Sequence, residues 1–107
     1  MNKSNQHNQI FSQRLKNLRQ EMGLSQKQLG ILAGIDEFVA STRINRYEKG
    51  VHQPNVDIVQ HIASVLGVPL AYFYTEDALL AELLRAWPGL EPKTQREILL
   101  LVSSSSP

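Results

Sequence analysis

The feature that most constrains this chain is the spacing of its apolar residues, which recur every three or four positions along most of the sequence. Phe11, Leu15, Leu18 and Met22 form the first such stripe, and Gly23 follows it as a helix stop. No segment alternates apolar and polar residues with a period of two for long enough to predict a strand. The spacing therefore predicts an all-α fold.

Six further stripes predict six more helices. Ser25, Asn55 and Thr75 stand where the second, fourth and sixth helices need N-terminal caps. The apolar positions of helices two to seven are, in order, Leu29, Leu32 and Ala33; Ile44 and Tyr47; Ile58, Val59, Ile62, Ala63 and Leu66; Leu70 and Phe73; Leu79, Leu80, Leu83, Leu84 and Trp87; and Ile98, Leu99, Leu101 and Val102. The polar segments 1–9 and 103–107 are predicted to be tails.

Composition excludes several classes of protein. A chain of 107 residues with 42% hydrophobic and 20% charged residues is typical of one globular domain, and the absence of cysteine excludes disulfide scaffolds and thiolate zinc sites. The three histidines, His7, His52 and His61, are too scattered for a metal site. No nucleophile elbow or glycine-rich phosphate loop occurs, and no apolar run is long enough for a membrane span. We therefore expect a cytoplasmic, non-enzymatic protein without metal, cofactor or membrane partner.

The charge is unevenly distributed, although the formal net charge is only +1. Residues 1–50 carry eight lysines and arginines against four acidic residues, and the remainder carries three against six. A basic half joined to an acidic half indicates an anionic partner for the basic half.

The middle of the chain carries a more specific pattern. A Leu-Ser-Gln sequence opens the second helix, Ala-Gly-Ile closes it, and Ile44-x-x-Tyr-Glu-x-Gly50 closes the third. Pro54, a Leu-Gly-Val turn and Phe73 follow downstream. Together, over residues 11–74, these elements resemble the phage-repressor (Cro/Xre-type) helix-turn-helix family. The resemblance implies a five-helix domain that binds double-stranded DNA.

The resemblance also implies roles for individual residues. The third helix would lie in the major groove, and the N-terminus of the second would bind a phosphate. Arg19 and Glu48 fall on positions that form an ion pair between the first helix and the end of the third. The base-reading positions would be Ser41, Thr42, Arg43 and Arg46, with Asn45 at their edge; the phosphate contacts would be Gln26, Lys27, Lys49 and His52.

The sequence departs from the family pattern between the second and third helices. Ile44 follows Gly34 by ten positions, where the family usually has six, so four residues are extra. Either the turn is longer, or the third helix begins one turn earlier with Asp36 as its cap, and we favour the earlier start. In either case we expect Phe38 to pack against the protein; the alternative is that it contacts a thymine methyl group of the DNA.

The last two predicted helices are rich in leucine and poor in basic residues. They either pack back on the domain formed by residues 10–74 or build a homodimer interface from residues 75–102, and a two-fold dimer fits an inverted-repeat operator. The sequence thus predicts a homodimeric transcriptional regulator, most simply a repressor; the alternative is an antitoxin-like or protein-interaction module on the same scaffold. The residues predicted to form the dimer interface are Leu80, Leu83, Leu84, Trp87, Ile98 and Leu101.

Overall fold

A computed structural model describes residues 3–105 of the chain, and the side chains of residues 9–105. In that range the chain is all-helical, with six α-helices and two short 3-10 helices and no strand. The elements are α1 (Lys3–Glu21), α2 (Gln26–Leu32), α3 (Ala40–Glu48), α4 (Val56–Leu66), a 3-10 helix (Leu70–Tyr74), α5 (Ala78–Ala86), a second 3-10 helix (Trp87–Gly89) and α6 (Pro92–Ser105).

One apolar core joins α1 to α4 and the first 3-10 helix. Leu15, Leu29, Ile44, Ile62 and Phe73 come from these five elements, and each of their side chains is fully buried. The stripes of these five elements therefore meet in a single core, as their helical spacing predicts. Two stripe residues differ from the prediction, because Met22 and Leu32 are exposed at the ends of α1 and α2.

Side-chain caps set the start of three helices. Ser25 and Gln28 form the predicted capping box of α2, and Asn55 Oδ1 accepts from the backbone N–H of Ile58 at the start of α4. Thr75 was predicted to cap the sixth helix, and this prediction is wrong. Asp77 caps α5 instead, because its Oδ1 accepts from the backbone N–H groups of two first-turn residues, while Thr75 Oγ1 donates to the carbonyl of the preceding 3-10 helix.

The extra residues between α2 and α3 lengthen the turn. Asp36 does not cap an earlier helix start: its Oδ1 accepts from the N–H of Phe38, and its carbonyl accepts from the N–H of Val39, so residues 36–39 form a turn of their own. The helix begins at Ala40, where the chain packs directly on Gly30 of α2. Phe38 lies on the tip of this turn and is 87% exposed, so the expectation that it packs against the protein is also wrong.

The two C-terminal helices differ in how they attach to the core. In α5, Ala81 is buried in the core and Leu84 packs against it, while Arg85 forms an ion pair with Glu21 of α1. In contrast, no residue of α6 is buried. The structure thus joins α5 to the body of the protein and leaves α6 extending from it.

The helices also reach into both segments that we predicted to be tails. The first helix starts at Lys3, within segment 1–9, and α6 continues to Ser105, within segment 103–107. Residues 1, 2, 106 and 107 lie outside the described residues. The division of the chain into residues 10–74 and 75–102 stays a prediction.

Candidate nucleic-acid interface

The helix α3 has one buried face and one polar face. Ala40, Ile44 and Tyr47 are buried against the core. At about 100° per residue, the direction opposite to them is occupied by Thr42, with Asn45 on one side of it and Arg46 on the other. Ser41 and Arg43 lie nearer the two edges of the helix, and both are exposed. All five residues predicted to read bases therefore lie on the accessible part of one helix.

A bidentate ion pair fixes the C-terminal end of α3 to α1. The Arg19 Nε donates to Glu48 Oε2 at 2.5 Å, and Nη2 donates to Oε1 at 3.0 Å. A third N–H of the guanidinium, on Nη1, donates to the carbonyl of Leu24 at 2.8 Å. The side chains of Arg19 and Glu48 are 11% and 3% exposed, and the hydrogen bond to Glu48 raises the pKa of Arg19. This pair holds the angle of α3, which is the structural role that the resemblance implies.

The first residue of α2 extends the same network. The Gln26 Nε2 donates to Asn45 Oδ1 at 3.1 Å and to Glu48 Oε1 at 3.0 Å. Both N–H groups of the Gln26 amide are thus used inside the protein. Because the Asn45 oxygen accepts from Gln26, the amide N–H groups of Asn45 are left to face outward as donors.

The N-terminus of α2 keeps two backbone donors. The capping box satisfies the N–H groups of Ser25 and Gln28, and no group in the described part of the chain accepts from the N–H of Gln26 or of Lys27. Such groups, at the positive end of a helix dipole, favour an anion. The predicted phosphate contact at Gln26 is therefore available from its backbone rather than from its side chain.

Two further residues predicted to contact phosphates follow α3. Lys49 and His52 are both exposed on the loop after α3, which folds back so that the N–H groups of Val51 and His52 donate to the carbonyl of Arg46. This loop places them next to the C-terminal end of α3, while Lys27 lies exposed on α2. Two lysines and a histidine therefore lie exposed on the elements that adjoin α3.

Sequence reasoning missed a contact within α3. The Arg43 Nη2 donates to the Tyr47 hydroxyl at 2.8 Å, and its guanidinium carbon lies 5.9 Å from the centre of the Tyr47 ring. The spacing of four residues on a helix is the signal that could have predicted it, because such pairs share one face.

The residues predicted to form a dimer interface lie away from α3. Leu80, Leu83 and Leu101 are 47%, 39% and 66% exposed, respectively, Leu84 packs partly on the core, and Trp87 and Ile98 are half-buried. The structure therefore exposes three of these six residues, partly buries the other three and fully buries none of them.

The described residues form neither a metal centre nor a membrane span. No three histidine or acidic residues in the described part of the chain come together as metal ligands. None of the helices described here is long and apolar enough to cross a membrane.

Known proteins resemble this chain both over the helix-turn-helix segment and over most of its length. The helix-turn-helix family model matches residues 15–73. The crystal structure of the transcriptional regulator BswR superposes with a TM-score of 0.79 and is 43% identical, covering 87% of this chain and 92% of that one. The likeness to BswR therefore extends well beyond the segment that the family model matches.

Curated relatives point the same way. The cryptic phage CTXphi transcriptional repressor RstR of Vibrio cholerae is 26% identical over an alignment of 102 residues, and the match covers 89% of this chain and 86% of the repressor. Uncharacterized HTH-type transcriptional regulators of Sinorhizobium medicae and Rhizobium meliloti are each 35% identical over 65 residues. Those 65 residues span 61% of this chain and only 43% of each rhizobial protein. The chain belongs to the helix-turn-helix family of DNA-binding transcriptional regulators, of the phage-repressor (Cro/Xre) type.

Proposed function

We propose that this protein is a sequence-specific regulator, acting as a repressor, that inserts α3 into the major groove of its operator. The observation that carries the proposal is the polar face of α3, where Thr42, Asn45 and Arg46 point away from the core. Arg is suited to guanine O6 and N7, and the outward amide donors of Asn45 suit base or phosphate acceptors. In this proposal the protein acts in the cytoplasm and regulates transcription by occupying a promoter.

The surrounding groups support this orientation. The backbone N–H groups of Gln26 and Lys27 lie on one side of α3, and Lys49 and His52 follow its end. A duplex seated on α3 presents phosphates along both walls of the groove, and cations beside the helix favour that position. In the described part of the chain the ion pairs are Arg19–Glu48 and Arg85–Glu21, so Arg43 and Arg46 have no carboxylate partner to neutralise them.

The test of base reading is Arg46→Ala, measured by selecting binding sites from a randomised duplex library. We expect the wild type to select a defined sequence and Arg46→Ala to lose preference at one position in each half-site, with a cost of about 1–3 kcal/mol. Lys93→Ala is the matched control, because it removes one exposed positive charge on α6. Equal base preference in wild type and Arg46→Ala would reject this role for Arg46.

We propose further that the protein binds an inverted repeat as a homodimer formed through α5 and α6. The support is the exposed apolar surface that these helices present, since Leu79 is 79% exposed and Leu99 to Val102 are each more than half exposed. Apolar surface of this extent marks an association site. In a two-fold dimer the two copies of α3 would lie one turn of DNA apart, about 34 Å.

The homodimer is tested in the full chain by Leu101→Glu, with the mass in solution measured by light scattering. We expect the wild type to be a dimer and Leu101→Glu to be largely monomeric, since a charge in an apolar interface is costly. Val56→Glu makes the same chemical change at an apolar residue that is 70% exposed on α4, and it should remain dimeric. A Leu101→Glu dimer as stable as the wild type would place the interface elsewhere.

A further inference from the structure

The polar residues of α3 do not all face the same part of a groove. The centre of the buried face is defined by Ala40, Ile44 and Tyr47, and Arg43 is only about 40° from Tyr47 around the helix axis. Thr42 and Arg46 lie much farther round, on the side opposite the core. The Arg43 side chain therefore projects from the flank of α3. The base edges would instead face the side of α3 that is opposite the core.

A contact within the helix keeps the Arg43 side chain at that flank. The Tyr47 ring is buried, with the residue 4% exposed, and its hydroxyl accepts from Arg43 Nη2 at 2.8 Å. The guanidinium also lies 5.9 Å from the ring centre, within reach of a cation–π interaction. Side chains of a helix lean toward its N-terminus, so the Tyr47 side chain extends toward the residue four positions earlier. The buried tyrosine thus positions the exposed side chain of Arg43.

The opposite flank of α3 is already occupied by groups that suit a phosphate. Gln26 reaches Asn45 and Glu48 on that side, and the free backbone N–H groups of Gln26 and Lys27 lie next to it. A helix in the major groove has one sugar–phosphate wall on each side. On the other flank, Arg43 has no carboxylate partner among the described residues. One N–H of its guanidinium donates to Tyr47, which leaves four N–H donors free.

We propose that Arg43 binds a phosphate of the second groove wall, with Tyr47 as the residue that positions it, rather than reading a base. This deepens the proposed function and rests on the insertion of α3 into the groove. The ligand is a phosphodiester oxygen, which the planar guanidinium binds with charge-assisted hydrogen bonds. Base selectivity is then left to the residues opposite the core.

The test compares Arg43→Ala, Tyr47→Phe and Arg46→Ala on the site selected by the wild type. For each half-site, Arg43→Ala should weaken binding about tenfold on every sequence and reduce the dependence of log K on log salt by about 1, without changing base preference. Tyr47→Phe keeps the ring and the charge; it should weaken binding about threefold and leave the salt dependence unchanged. In the Arg43→Ala background, Tyr47→Phe should have no further effect.

A second measurement identifies the phosphate itself. Ethylation of single phosphates should reveal one position on each half-site where ethylation weakens the wild type and has no effect on Arg43→Ala. The inference is overturned if Arg43→Ala keeps the salt dependence and loses preference at one base, or if Tyr47→Phe weakens binding equally with and without Arg43. If Arg43→Ala behaves as expected but Arg46→Ala keeps its preference, base reading by Arg46 fails while the phosphate contact stands. If the wild type selects no sequence and shifts no duplex, both proposals fail.

Discussion

The pair α2–α3 and the helix α6 are opposite in what they bury and what they expose. Within α2–α3 the apolar residues Leu29, Ala40 and Ile44 are fully buried, and the exposed face of α3 is polar. In α6 nothing is buried, and the four consecutive residues from Leu99 to Val102 expose apolar side chains around the whole helix. The first region buries its apolar face within one chain, whereas the apolar residues of α6 stay uncovered within the described part of the chain. Substitutions of the same type should therefore have different costs in the two regions.

The largest difference is expected between two glutamates that each pair with an arginine. Glu48→Ala leaves the Arg19 guanidinium buried without its partner, and we expect a loss of about 3–5 kcal/mol in the free energy of unfolding. Glu21→Ala removes the partner of Arg85 on the surface, where both side chains are about half exposed, and should cost less than about 1 kcal/mol. Urea denaturation of both variants measures the difference. Equal losses would contradict the assignment of Glu48 to the support of α3.

A leucine in each region sharpens the comparison. Leu29→Ala removes a fully buried side chain from α2 and should cost about 2–5 kcal/mol of unfolding free energy. Leu101→Ala should cost less than about 0.5 kcal/mol when the protein is diluted to monomer, because this side chain is 66% exposed. The proposed homodimer predicts that the melting temperature of the wild type rises with concentration and that this rise is lost in the Leu101 variant. A melting temperature of the wild type that does not change with concentration would contradict a role for Leu101 in assembly.

The smallest of the three effects concerns the close packing of α2 on α3. A Cβ on Gly30 would lie 2.7 Å from the Cβ of Ala40, so Gly30→Ala should cost about 1–3 kcal/mol through overpacking. Ala40→Gly removes the opposing methyl group and should restore much of that loss in the double variant. Gly89→Ala, between α5 and α6, meets no atom within 4 Å and should change stability little. Thermal melts monitored by circular dichroism check these values, and additive losses for Gly30→Ala and Ala40→Gly would show that the two helices do not press on each other there.

Much of the fold could be predicted from local patterns. The apolar stripes of α1 to α4, the capping box at Ser25 and the cap at Asn55 all depend on residues within one or two turns of each other. The turn before α3 could not be predicted in the same way. A helix beginning at Asp36 and a turn at Asp36 satisfy the same local rules, and the contact between Gly30 and Ala40, ten residues apart, is what sets the start of α3.

The sequence predicted which residues lie on the candidate interface better than it predicted their contacts. The motif places Ser41, Thr42, Arg43, Asn45 and Arg46 on one helix, and the structure exposes them on its polar side and flanks. The internal use of the Gln26 amide and the support of Arg43 by Tyr47 depend on side-chain directions that a motif does not contain. The roles of these residues toward DNA stay predictions until the duplex experiments are done.

The sequence by itself determined an all-helical chain, the place of its helix-turn-helix and the helix that carries the polar residues, because apolar period, caps and glycine stops act over short distances along the chain. The tertiary structure decided where α3 starts, how Arg19, Gln26 and Glu48 fix it, and that α5 joins the core while α6 does not. Those features depend on which surfaces approach each other in space. Of two helices with similar apolar stripes, one can therefore be buried and the other exposed, because burial depends on whether another part of the chain packs against the stripe.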